Sequence, residues 1–176
     1  MPGQVFSEVS QLGYITRDIH TSMRNLRDTL GVGPWFYLEN RMPITYRSQR
    51  HEIDTIVAFA NIGPMQLELI QQCDDRPSMY LDYLADSRVP LHGLQHFAFW
   101  VENHDGAVAD ALQRGFIELQ STTVARGRVV YLSHPKSPDF VVEFAESTPG
   151  RQAMRQRVRE AASGWDGGDP FRALER

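Results

Sequence analysis

Gly93-Leu-Gln-His-Phe-Ala-Phe-Trp-Val101 is a short, strongly aromatic run opened by glycine and closed by the polar turn Glu102-Asn-His-Asp105. Those features read as a half-buried β-strand. Side chains alternate along a strand, so His96 shares a face with Ala98 and Trp100. Phe97, Phe99 and Val101 then form the opposite, apolar row, suited to a packed helix. His96 is an imidazole looking into a concavity. Such a histidine is ordinarily a satisfied core residue, and what changes its reading is an echo earlier in the chain.

Eighty-five residues upstream the sequence runs Gln11-Leu-Gly-Tyr-Ile-Thr16, followed by Arg17-Asp18 and a helical stretch. From His96 it runs His-Phe-Ala-Phe-Trp-Val, followed by a polar turn and another helical stretch. A second pair is Gln66-Leu-Glu68-Leu-Ile70 and Val141-Val-Glu143-Phe-Ala145, two alternating strands with one carboxylate each. An internal repeat constrains architecture more than any local signal. The repeat suggests an α+β fold of two tandem βαβββ modules, each a strand, a helix and three further strands.

The pattern resembles the vicinal oxygen chelate superfamily, which includes glyoxalase I, methylmalonyl-CoA epimerase, extradiol dioxygenases and antibiotic-resistance proteins. The resemblance spans roughly Ser7 to Glu146. It rests on the His96 and Glu68 strands, on His134-Pro-Lys-Ser137 leading to Glu143, and on Gly31-Val-Gly-Pro-Trp35. It implies that the modules form a curved mixed sheet around a metal-containing cup, with Gln11, Glu68, His96 and Glu143 as ligands of one divalent metal ion. Oxygen and imidazole donors without thiolate suit Zn, Ni, Co, Fe, Mn or Mg. Two buried carboxylates repel each other, and a divalent cation removes that cost. The alternative is that both glutamates sit on solvent-facing sides of their strands.

The implied chemistry is that of an isomerase, epimerase or lyase acting on a small oxygenated carbonyl compound through a metal-stabilised enolate or enediolate. Glu143 is the implied base and Glu68 the second catalytic carboxylate. Extradiol chemistry needs two histidines and a carboxylate, and the ligand set here has one histidine. The position approximating one base of methylmalonyl-CoA epimerase reads Thr55, and no stretch reads as a glutathione site. Metal-assisted hydrolysis or ring opening is a second reading, and a drug-sequestering protein of the same fold is a third. Trp35, Tyr37, Tyr46, His51 and Trp100 are candidate substrate-binding residues, each also a plausible packing residue. Arg47, Arg50 and Arg126 are candidates for meeting an anionic substrate group, or are solvated.

The 176 residues, 41% of them hydrophobic, suffice for one compact unit with a substantial core. Module one is expected at 7–72, a linker at 73–92 and module two at 93–146, with residues 1–150 as the family domain. A helix and tail occupy 151–176, the tail being either loose or a strap over a partner subunit. A net charge of −4 offers no basic field for nucleic acid or an anionic membrane. No apolar run is long enough to span a bilayer, and no leader pattern opens the chain. The single cysteine, Cys73, precludes an internal disulfide and fits a reducing compartment, so cytoplasm is the expected location. A homodimer is the expected state.

Within the modules, Asp18 is the expected N-cap of a helix over Ile19–Leu30, ended by Gly31 and Gly33. Trp35–Leu38 reads as a short strand, and Glu39–Arg50 as a loop or ragged hairpin. Ser78–Leu84, Gly106–Arg114 and Gly150–Ala162 read as further helices.

Overall fold

The computed structural model describes residues 8–85, 88, 89 and 91–174. The proposed lead-in at 1–7 and three positions of the expected linker (86, 87 and 90) lie outside the described residues.

The first half contains β1 (Gln11–Thr16), α1 (Ile19–Leu30), β2 (Trp35–Tyr46), β3 (Gln49–Ile62) and β4 (Met65–Gln72). A short α2 (Met79–Leu84) follows. The second half contains β5 (His92–Val101), α3 (His104–Gln113), β6 (Ile117–Val124), β7 (Gly127–His134) and β8 (Ser137–Glu146). The chain then forms α4 (Pro149–Ala162) and β9 (Phe171–Ala173). Strands run in the order β3-β4-β1-β5-β8-β7-β6-β2, and β2 pairs back onto β3, closing an eight-stranded barrel. The mixed sheet is therefore closed on itself.

Each helix begins where a side chain satisfies the otherwise unpaired first-turn amides. The Asp18 carboxylate accepts from the Thr21 amide, Ser78 Oγ from those of Tyr80 and Leu81, and Thr148 Oγ1 from that of Arg151. Helix α1 ends at Gly31, whose φ of 67° is the left-handed conformation that glycine adopts freely.

The alternation of the strands sorts side chains into an outer and an inner set. Outside, α1 lays Ile19 and Met23 over Leu12, Trp35, Leu67 and Leu69. Likewise α3 lays Ala107, Val108 and Ala111 over Phe97, Phe99, Val142 and Phe144. Inside, Ile15, Met42, Ile44, Ile53 and Ile70 pack with Met79, Tyr80 and Leu84 of α2, which plugs one end of the barrel. Helix α4 sets Met154 and Val158 against Phe36 and Phe59.

Two sequence expectations are corrected. Residues 39–50 form a hairpin, as one of the two readings had it, but a regular one: β2 runs unbroken to Tyr46 and pairs with β3 from Phe36↔Phe59 to Tyr46↔Gln49. Its outward residues Glu39, Arg41 and Thr45 are polar because they face solvent, which hid the inward alternation of Leu38, Met42, Ile44 and Tyr46. The turn uses Arg47 and Ser48 with φ of 47° and 64°. Positive φ at both central positions matches the strand twist, but the Asn-Gly or Asp-Gly signal is missing. The tail is not loose over 171–173: β9 adds to the chain's own β2 in parallel, pairing Trp35 with Phe171.

Val158 is fully buried beneath α4. Truncating it to alanine should cost about 1–3 kcal/mol in urea unfolding, as removing buried methyl groups does. Ala153→Gln on the exposed face of the same helix should change stability by less than about 0.5 kcal/mol.

Candidate metal centre

Four neighbouring strands build the centre. Across the antiparallel β1–β5 pair, Gln11 stands opposite Ala98 and Gly13 opposite His96. On the flanks, Glu68 of β4 is level with Gly13, and Glu143 of β8 is level with Ala98. The arrangement is symmetric about the central pair: one strand of each half offers an amide or imidazole, and its neighbour offers a carboxylate.

The ligating atoms of Glu68, His96 and Glu143 all lie within 4.8 Å of one another. His96 Nε2 is 3.1 Å from Glu143 Oε2 and 3.5 Å from Glu68 Oε2. His96 is fully buried and Glu143 nearly so. Its Nδ1 meets Gln95 Oε1 at 2.7 Å, which places the ring proton on Nδ1 in the neutral tautomer and turns the Nε2 lone pair inward. Tyr80 donates to Tyr131 at 3.0 Å, and Tyr131 in turn hydrogen-bonds Glu143, fixing that carboxylate from behind.

Gly13 makes room for the imidazole. A Cβ at this position would lie 1.9 Å from His96 Nε2, so the buried ring would have to move. Gln11 is buried on the same inward face, and its Nε2 donates to Gln66 Oε1 at 3.2 Å.

Burial and the mutual proximity of the three groups set their electrostatics. Burial raises the Glu68 carboxyl above its usual range, and the Glu143 charge adds to this. Burial would do the same to Glu143, but the hydrogen bond and charge of His96 outweigh it and hold that carboxyl low. Burial alone would lower the His96 pKa; Glu143 and Glu68 overcome it and lift it to about 9. Glu68 Oε2 and His96 Nε2 are nevertheless buried without a well-formed hydrogen bond. Buried polar atoms normally find partners. Two that converge beside a third ligand fit a divalent ion with nitrogen and oxygen donors.

The other expected residues scatter. Trp35 lies in the core under α1, on the outer side of the barrel. Tyr37 is also outside, in edge contact with His20. Tyr46 faces inward at the plugged end, where it donates to Asp82 of α2; burial and that carboxylate raise its phenol to about 12. His51 Nε2 meets the Pro77 carbonyl at 2.7 Å. Trp100 carries the guanidinium of Arg155 over its ring at 5.0 Å, and its indole N–H is buried without a partner. Arg47 is an exposed partner of Asp82, and Arg50 is exposed. Thr55 is buried and donates to the Asn40 carbonyl. His134 lies at the tight β7–β8 turn, with Nε2 on the Arg114 carbonyl at 3.2 Å.

Beside the two carboxylates is a cavity of about 90 Å³, lined in part by Asn40, Met42, Phe59, Arg126, Arg151 and Met154. Gln95, Gly13 and Arg151 were not singled out from the sequence. Gly13 shares the inward face of its strand with Gln11, but its place opposite His96 comes from the β1–β5 register. A larger groove of about 430 Å³ lies elsewhere, between β2, β6 and α3.

Residues 10–131 match the family model of the glyoxalase/bleomycin resistance protein/dioxygenase superfamily, and the chain belongs to that superfamily. Among solved structures it is similar to methylmalonyl-CoA epimerase from Mycobacterium tuberculosis, at 17% identity and a TM-score of 0.57, covering 87% of this chain and 96% of that one. A methylmalonyl-CoA epimerase in complex with methylmalonyl-CoA and NH4+ is 18% identical with a TM-score of 0.53, covering 82% of this chain and 96% of that one. A hypothetical protein from Bacillus halodurans C-125 is 19% identical with a TM-score of 0.57, covering 80% and 94%. These likenesses concern the fold. No curated protein matches the chain by sequence.

Gly13→Ala should displace the His96 ring, lowering divalent-metal affinity at least about tenfold in a calorimetric titration and costing roughly 1–3 kcal/mol of stability. The pH dependence has a definite sign. In the metal-free protein, protonated His96 between its carboxylates contributes stability fully below the unfolded pKa near 6.5, and that contribution is lost as pH rises through about 9. A metal must displace the same proton, so affinity should rise about tenfold per pH unit between these values, with proton release visible as a buffer-dependent binding enthalpy.

Proposed function

We propose that this protein is a metal-dependent isomerase, epimerase or lyase acting on a small oxygenated carbonyl compound. The observation that carries the reading is the convergence of Glu68, His96 and Glu143 within 4.8 Å, with unpartnered ligand atoms on two of them. Gln11 completes the ligand set by its amide oxygen, its nitrogen being engaged by Gln66. A divalent ion held there supplies Lewis acidity, polarising a substrate carbonyl and acidifying the neighbouring carbon.

The chain's own groups then handle the proton. Glu143 takes it from the carbon beside the carbonyl, oriented by Tyr131 from behind. Glu68 reaches the cavity from the other flank of the β1–β5 pair, where it can return a proton to the same carbon. Met42, Phe59 and Met154 in the cavity wall limit the water around these groups, which strengthens each of these interactions. The epimerase likeness supports proton transfer beside a carbonyl, while Thr55 at the position of one epimerase base argues for a different substrate. The same reading places the chain in a cytoplasmic homodimer with a small molecule as its reaction partner.

The test combines elemental analysis of the purified protein with proton exchange of carbonyl compounds in heavy water, followed by NMR. About one metal ion per chain and deuterium at the carbon beside the carbonyl are expected. His96→Ala should lose stoichiometric metal while keeping the far-ultraviolet circular dichroism of the wild type. Glu143→Gln should slow exchange by at least about a hundredfold. Labelled oxygen entering from water instead of deuterium would favour metal-assisted hydrolysis or ring opening. A metal-free protein that binds small molecules without exchange would be a sequestering module.

A further inference from the structure

The same cavity carries two guanidinium groups that the metal-centred reading does not use. Arg126 sits in the β6–β7 turn and Arg151 in the first turn of α4, and both line the space in front of Glu68 and Glu143. Arg151 is 92% buried, with a relative exposure of 8%. Its Nε donates to the Glu146 carbonyl at 3.0 Å, but one terminal nitrogen is buried with no partner. Among the described residues the Arg126 guanidinium makes no hydrogen bond or ion pair. A buried guanidinium with an unused donor is costly unless something fills the position.

The balance of charge says what fills it. The charged side chains lining the cavity are Glu68, Glu143, Arg126 and Arg151. A divalent ion on the carboxylates cancels their charge and leaves two positive groups facing the substrate. Guanidinium forks bind planar carboxylates through paired N–H donors. Resting on the reading above, we propose that the substrate is an anionic carbonyl compound, a small oxo or acyl acid, whose carboxylate is held by Arg126 and Arg151 while its carbonyl faces Glu68, His96 and Glu143. The cavity of about 90 Å³ admits a few heavy atoms, roughly three water volumes, so it takes a small acid or the acidic end of a longer molecule. Arg151 belongs to α4 and lies beyond residues 10–131, the segment that the family model matches.

The probes are pyruvate and pyruvamide, which share a carbonyl and differ in charge, titrated by calorimetry or ligand-observed NMR into metal-free and metal-loaded protein. Pyruvate should bind at least about tenfold tighter than pyruvamide in both forms. Arg126→Gln should remove that margin while leaving pyruvamide binding and metal uptake unchanged, and Arg151→Lys should reduce it in part. If Arg151→Lys unfolds, as judged by circular dichroism, Arg126→Gln decides alone. Equal affinity for the two probes, no saturable pyruvate binding, or an unchanged margin in the folded variants overturns the proposal. Equal affinity for the two probes in the wild-type protein, with metal uptake intact, defeats the carboxylate clamp alone. Discrimination in a protein that takes up no metal defeats the metal reading and keeps the clamp.

Discussion

Two carboxylates and an imidazole stand within bonding reach of a common point inside a closed barrel, and the rest of the structure answers to that constraint. Burying two acids side by side costs several kcal/mol through lost hydration and mutual repulsion. In the metal-free protein the contacts of His96 with both carboxylates meet part of the cost, and Tyr131 and Gln95 meet more by hydrogen bonding. A bound cation meets it with full charge. The barrel makes this possible because adjacent strands bring one inward residue each to the same level, without any long side chain having to search for its place.

The elements around the site divide the remaining tasks. Helices α1 and α3 cover the outer aromatic rows and so fix which face of each strand points inward. Helix α2 plugs one end with Met79, Tyr80 and Leu84, and Tyr80 extends that plug to the centre through Tyr131. Helix α4 crosses the cavity and contributes Met154 and Arg151 to its lining. Its cap at Thr148 and its contact through Val158 thus serve the site as well as the stability of the chain.

The separation between the protein's charged groups is informative about chemistry. Arg41, Arg47 and Arg128 pair with carboxylates at the surface, where ion pairs contribute little to stability. Arg126 and Arg151 face the cavity instead, beside acids that are themselves committed to the centre. Sequence composition treats all of these arginines alike. Their surroundings do not.

The sequence by itself determined the elements with local causes. Asp18 as a cap, Ile19–Leu30 as a helix ended by Gly31, and the alternation around His96 follow from short-range geometry, and the structure has all three. The repeated strands also picked out Gln11, Glu68, His96 and Glu143, to which the family resemblance gave the role of ligands, and the structure brings Glu68, His96 and Glu143 together. What only the tertiary structure decided depends on pairing between distant segments. The unbroken β2 is held by β3 despite its polar outer face, and barrel closure needs β2 to meet β6 as well. Trp35 and Tyr37 left the expected binding surface because their parity along β2 turns them outward, under α1 and beside His20. Gly13 beneath the imidazole and Arg151 over the cavity emerge from register and helix docking, long-range relations that no local spacing encodes.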